Sequence, residues 1–185
     1  MTPEPPHYWQ PDAECLDREE LEQLQLERLE ATLSRVARSV PFYRRRFEAA
    51  RFDPDELRAT DDLRRLPFTT KDEMREVYPY GLLAVPLRDI VEIHTSSGTT
   101  GMTTVVGYSR NDIKTWSNLV ARILTAGGIT KDDVVQISFN YGLFTGAFGL
   151  HYGAERLGAS VIPISSGNTK RQIKIMQDFK TTALV

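Results

Sequence analysis

The sequence predicts an α/β protein, with a mainly helical N-terminal region followed by the first part of a parallel-sheet domain. Three observations predict it. Apolar residues recur every three or four positions within the first 89 residues, short β-branched runs alternate with helical stretches from residue 90 onward, and glycines or capping residues stand at the joints. At 185 residues and 41% apolar content the chain can bury a core. Its 23 basic and 25 acidic residues leave a net charge of -2, which argues against nucleic-acid and acidic-membrane partners. The single cysteine, Cys15, excludes an internal disulfide. The start MTPEPPHYWQPD has neither the basic beginning nor the apolar stretch of a secretory leader, and no apolar run approaches the roughly 20 residues of a membrane span. A soluble, cytoplasmic protein is expected.

The elements follow in order. The first dozen residues hold four of the ten prolines and predict an extended arm pinned by Tyr8 and Trp9. Leu26, Leu29, Leu33, Val36 and Val40 form an apolar stripe opposite Glu27, Arg28, Glu30 and Arg35, which predicts an amphipathic helix broken at Pro41. Phe42, Tyr43 and Phe47 then dock rings from a short helix. Arg44, Arg45 and Arg46 project from it, either as a solvated face or toward a phosphate or coenzyme. Asp53-Pro54 and the stretch to Leu66-Pro67 predict further short helices, and Thr70 with Glu73 has the spacing of a capping box.

At Ile90 the pattern becomes extended. VEIHT and TVVGY read as paired strands joined by the loop at 96–104. Ser109 caps a helix with Ile113, Trp116, Val120 and Ile123 on one face, stopped by Gly127-Gly128. The strand VVQISF follows. NYGLFTGAFG leads into a helix ended by Gly158, and SVIPI is the next strand. Thr169 and Gln172 repeat the capping-box spacing for a helix to about Phe179, before TTALV. Strand, helix, strand, helix, strand predicts a parallel sheet. Residues 1–89 are therefore expected as the helical region and 90–185 as a partial α/β domain. Ala183, Leu184 and Val185 open a strand that the sequence does not complete, so the chain is expected to be truncated inside a fold.

Residues 96–104 contain six hydroxyl side chains, two glycines and one methionine. Phosphate oxygens require closely approaching donors, which Ser and Thr hydroxyls and backbone N–H groups freed by glycine supply. Ser96, Ser97, Thr99, Thr100, Thr103 and Thr104, spaced by Gly98 and Gly101, meet that need, although a polar hairpin turn has the same composition. The nucleotide-triphosphate P-loop is excluded: the glycines are too close, no lysine follows, and a strand rather than a helix comes next. A second segment sets Phe139, Tyr141 and Phe144 among Gly142 and Gly146, either as flat apolar surface for a planar ligand or as core packing. His151 in the following helix reads as a packing residue or as an acid or base. His7 and His94 have weaker claims, and no spacing makes a transition-metal site.

SSGTTGMTTVVGYSRNDI resembles the phosphate loop of the adenylate-forming enzymes, specifically their phenylacetate-CoA ligase branch. VPFYRRRF, LPFTTKDEMREVYPYGLLAVP and YGLFTGAFGLHYGAERLGASVIPISSGNT are similar to the same branch in the same order, so the resemblance covers most of the chain from about residue 39. It implies the large domain of an adenylate-forming enzyme and a reaction in two steps. An aromatic carboxylic acid reacts with ATP to give an acyl-adenylate and pyrophosphate, and coenzyme A then displaces AMP. It also implies Mg2+ beside the phosphates, which are held by Ser96, Ser97, Gly98, Thr99, Thr100, Gly101 and Thr104. Phe139, Tyr141, Phe144 and Gly146 would form the wall of the aromatic-acid pocket. No covalent intermediate is implied, so the serines act as electrostatic donors and no catalytic residue is assigned.

The resemblance departs in two places. The family's loop usually carries a lysine where this chain has Met102, which has no charge to offer departing pyrophosphate. The family's later motifs, for adenine, ribose, magnesium and thioester formation, are not found, so the 185-residue chain alone is expected to have negligible ligase activity. The alternative is a short non-catalytic relative that binds an aromatic ligand or a partner. Such a relative would cover its strand edge by forming a homodimer.

Overall fold

The computed structural model describes residues 7–96 and 103–185. They divide into two compact units, one of residues 15–107 and one of residues 108–185 together with the N-terminal segment through Glu14. The change of pattern at Ile90 lies inside the first unit, whose contacts group the first strand and the start of the second with the helices before them.

In the first unit, helix α2 (Arg18–Ser39) starts where Asp17 accepts a hydrogen bond from the Glu20 amide, at 2.8 Å. It stops at Val40, and Pro41 opens α3 (Pro41–Ala50), a position where proline's missing N–H costs nothing. Leu33 packs with Phe47, Phe52 and Leu57, flanked by Leu26, Leu29 and Val36, so the stripe buries as its spacing predicts. The Phe47 and Phe52 rings meet edge to face at 5.7 Å.

Two of the three neighbouring arginines are used by the fold. Arg44 donates to the Ala37 carbonyl at 3.0 Å and to the Arg38 carbonyl, satisfying the end of α2. Arg46 pairs with Glu73, donates to the Phe68 carbonyl at 2.6 Å, and lies over the Phe42 ring. Glu73 closes the capping box of α4 (Lys71–Glu76), accepting from the Thr70 amide at 2.7 Å. Hydrogen bonds from Thr70 and then from Arg46 hold its carboxyl below the ordinary range. Arg45 stays exposed. The stretches after Asp53 and Ala59 are 3-10 turns, Pro54–Glu56 and Thr60–Arg65. Strands β1 (Ile90–Thr95) and β2 (Val105–Ser109) form a two-stranded sheet.

The second unit begins with the arm. The Trp9 indole donates to Asn118 at 3.4 Å and Arg122 donates to the Gln10 side chain at 2.7 Å, just before the short helix α1 (Pro11–Glu14). Helix α5 (Arg110–Ala126) is capped by Ser109 and Asp112. Strand β3 (Val134–Gln136), helix α6 (Thr145–Leu157), strand β4 (Ser160–Ile162), helix α7 (Thr169–Phe179) and strand β5 (Ala183–Leu184) follow. The sheet has the order β4-β3-β5 and is parallel throughout, pairing Val135 with Val161 on one side and Ala183 on the other. Both crossovers contain a helix, as parallel pairing requires.

Val135 and Ile137 face a core with Val120, Leu124, Ala147, Ala154 and Ala159, whereas Gln136 points to the opposite face, toward α7. Helices α5 and α6 cross closely. A methyl group on Gly149 would lie 2.6 Å from the Trp116 ring, and one on Gly153 would lie 2.4 Å from Val120. Gly158, at φ 90°, ends α6 as expected.

Two expectations are corrected. Ile123 is 65% exposed; the buried line of α5 runs through Val120, Ala121, Leu124 and Thr125. At about 100° per residue Ile123 lies roughly 100° around the helix from the buried Leu124, off the packed face. Helix α7 is capped not by Thr169 but by Asn168, which accepts from the Arg171 amide at 3.2 Å. That shift frees Gln172 from capping. Among the described residues, no helix is long and apolar enough to cross a membrane.

Candidate functional site

The two segments singled out by sequence lie in different units. Of the phosphate-loop residues, Ser96, Thr103 and Thr104 are described; Ser97, Gly98, Thr99, Thr100, Gly101 and also Met102 lie outside the described residues. Ser96 and Thr104 form the neck of the hairpin. The Ser96 amide donates to the Thr104 carbonyl at 2.9 Å, and the Thr104 amide donates to Ser96 Oγ at 2.9 Å. Both backbone N–H groups of the neck are thereby used within the hairpin, so what these two residues can offer an anion is their hydroxyl protons. Ser96 Oγ accepts in the neck, which leaves its own O–H free to donate. That donor is compatible with a phosphate oxygen.

Beneath the neck, Glu92 and His94 share one face of β1, with His94 2% exposed and its Nε2 against the Glu92 carboxylate. Sequence reading did not connect these residues, although the i, i+2 spacing on a strand carries that signal. Among the described residues, no group of three or more His, Cys, Asp or Glu side chains is placed to hold a metal ion.

The ring-bearing segment sits where β3 ends and α6 begins. Phe139 and Phe144 are 57% and 49% exposed, so neither ring packs into the core of this unit. Tyr141 alone turns inward, against the core of the second unit. Its ring meets Phe148 edge to face at 5.4 Å, and its Oη lies 3.1 Å from His151 Nδ1. Burial pushes the Tyr141 phenol above its ordinary pKa, so it remains neutral near pH 7. His151 is thus a packing partner of Tyr141. A methyl group on Gly146 would come within 3.3 Å of the Phe139 ring, so that ring lies close against the first turn of α6. Flat, apolar and backed by a helix, this surface suits a planar ligand.

No protein-family model matches the chain. Among curated proteins, the phenylacetate-coenzyme A ligase of Escherichia coli is 51% identical over 162 residues, which is 88% of this chain and 37% of that protein. The Pseudomonas putida enzyme is 52% identical over 86% of this chain and 36% of its own length, and that of Thermus thermophilus 48% identical over 93% and 39%. Among solved structures, 2-hydroxyisobutyryl-CoA ligase in complex with 2-HIB-AMP and CoA in the thioesterification state matches with a TM-score of 0.89 at 32% identity, covering 100% of this chain and 40% of that one. Its open conformation matches at 0.88 and 30% identity, covering 44% of that chain. The chain therefore spans little more than a third of the length of its curated relatives, 37% in the first. By its sequence and fold it belongs to the phenylacetate-CoA ligase branch of the adenylate-forming enzymes and corresponds to an N-terminal portion of it.

Proposed function

We propose that this chain supplies the phosphate-gripping hairpin and the aryl wall of an ATP-dependent aryl-acid CoA ligase acting on phenylacetate or a close analogue. The observation that carries the reading is the pair of exposed rings, Phe139 and Phe144, presented at the end of the central strand with Gly146 beneath them. Such rings are costly to leave in water and gain by covering a planar apolar acid.

In the first step an oxygen of the aromatic carboxylate bonds to the α-phosphorus of ATP as the bond to pyrophosphate breaks. In the second, the sulfur of coenzyme A bonds to the acyl carbon, AMP departs with the bonding electrons, and the thiol proton is released. Phe139, Tyr141, Phe144 and Gly146 bind and orient the ring of the acid. The hydroxyls of Ser96 and Thr104, with Ser97, Gly98, Thr99, Thr100 and Gly101 between them, bind the β and γ phosphates as neutral donors. A magnesium ion bound with ATP would offset phosphate charge. We infer that the 185-residue chain, which spans 37% of the first curated relative, does not turn over alone.

A chimera tests this. Residues 1–185 replace the matching segment of the Pseudomonas putida phenylacetate-CoA ligase, and thioester formation is followed with phenylacetate, ATP, Mg2+ and CoA. Phenylacetyl-CoA is the expected product. A folded chimera, by circular dichroism and gel filtration, that makes none would contradict the reading, as would thioester formation by the isolated chain.

A further inference from the structure

Gln172 reads in the sequence as a helix-capping residue, but its side chain turns into the sheet. Its Oε1 accepts from Gln136 Nε2 at 2.6 Å and from Ser138 Oγ at 2.9 Å. Its Nε2 donates to the Ser165 carbonyl at 2.7 Å. Gln136 is fully buried in the central strand, and its own Oε1 accepts from Thr181 Oγ1 at 3.0 Å. One amide thus ties the end of β3 to the turn that follows β4.

That turn runs through the left-handed region. Ser165, Gly167 and Asn168 have φ of 66°, 102° and 34°; glycine adopts it freely and asparagine readily, so the strain falls on Ser165, which its surroundings must hold there. Ser165 is held on both sides, its amide donating to the Ile137 carbonyl at 3.1 Å and its carbonyl accepting from Gln172. The next residue, Ser166, hydrogen-bonds through its hydroxyl to Asn140 Oδ1. Asn140 stands between Phe139 and Tyr141.

We propose that Gln172 is a positioning residue for the aryl wall: it holds the 165–168 turn in its left-handed form, the turn holds Asn140, and Asn140 fixes the faces presented by Phe139 and Tyr141. The inference rests on the reading of residues 139–146 as that wall. A buried amide that only stabilised the sheet would weaken the whole unit on removal. A positioning amide loosens two segments while the rest stays protected.

Hydrogen exchange on the 185-residue chain, read segment by segment, separates these, with phenylacetate titration by NMR alongside. Gln172→Leu is expected to speed exchange of residues 137–146 and 163–170 about tenfold, the equivalent of a net hydrogen bond or two, and to leave α5 unchanged. Phenylacetate binding should weaken by a similar factor. Ser166→Ala breaks only the last link and folds irrespective of the buried amide; it should speed exchange at 139–146 alone and weaken binding a few-fold. Val120→Ala, a core change in the same unit, serves as the comparison and should speed exchange across α5 and α6. The proposal is overturned if Gln172→Leu reproduces the Val120→Ala pattern, or if neither Gln172→Leu nor Ser166→Ala changes residues 139–146. Localised loosening by Gln172→Leu, with no phenylacetate binding by the wild-type chain, would support the coupling and contradict the aryl reading.

Discussion

The hairpin neck and the aryl segment are supported in opposite ways. Ser96 and Thr104 are joined by two hydrogen bonds within a two-stranded sheet. The segment 139–146 emerges from the central strand of a parallel sheet and lies on a helix that crosses its neighbour at glycine distance. The contrast matches the ligand each is proposed to meet. A triphosphate is recognised by many small donors, hydroxyls and backbone N–H groups alike, converging on its oxygens. An aromatic ring is recognised by shape, and shape requires a rigid backing.

Breaking the backing of the aryl segment should have the larger effect. Gly153→Ala would push a methyl group into Val120, and overpacking at a helix crossing costs about 1–3 kcal/mol. Thermal melting by circular dichroism should show a clear loss of Tm. An unchanged melt would mean that α5 and α6 do not cross as closely as described. Breaking the neck should cost less. Ser96→Ala removes the acceptor for the Thr104 amide, worth about 1 kcal/mol at a half-buried site, and the loss should be local. Exchange of the Thr104 amide should rise with little change in Tm; a melt as damaged as that of Gly153→Ala would erase the contrast.

What the sequence made legible was local in origin. The Leu26-to-Val36 stripe, the capping box at Thr70, the cap at Ser109 and the stop at Gly158 each depend on residues within one or two turns. The parallel direction of the strands followed from alternation of strand and helix, but not their order. What was hidden depends on partners far along the chain. Arg46 could be a free cation until it is seen paired with Glu73, 27 residues away. Gln172 has the spacing of a cap, but Gln136 lies 36 residues earlier and competes for the same amide. Ile123 has the character of a core residue and misses the face by rotation alone. In the candidate site, the composition of the loop and the rings was legible, whereas the neck bonds and the outward turn of Phe139 and Phe144 required the fold.

The part proposed for residues 96–104 requires that this hydroxyl-rich hairpin hold the phosphates of ATP. Titrating the isotopically labelled chain with MgATP, and separately with inorganic tripolyphosphate, while following amide resonances tests it most directly. Saturable shifts confined to residues 96–104, weakened by salt as an anion contact should be, are predicted. An absence of saturable change in that stretch, or saturation only elsewhere in the chain, would contradict it.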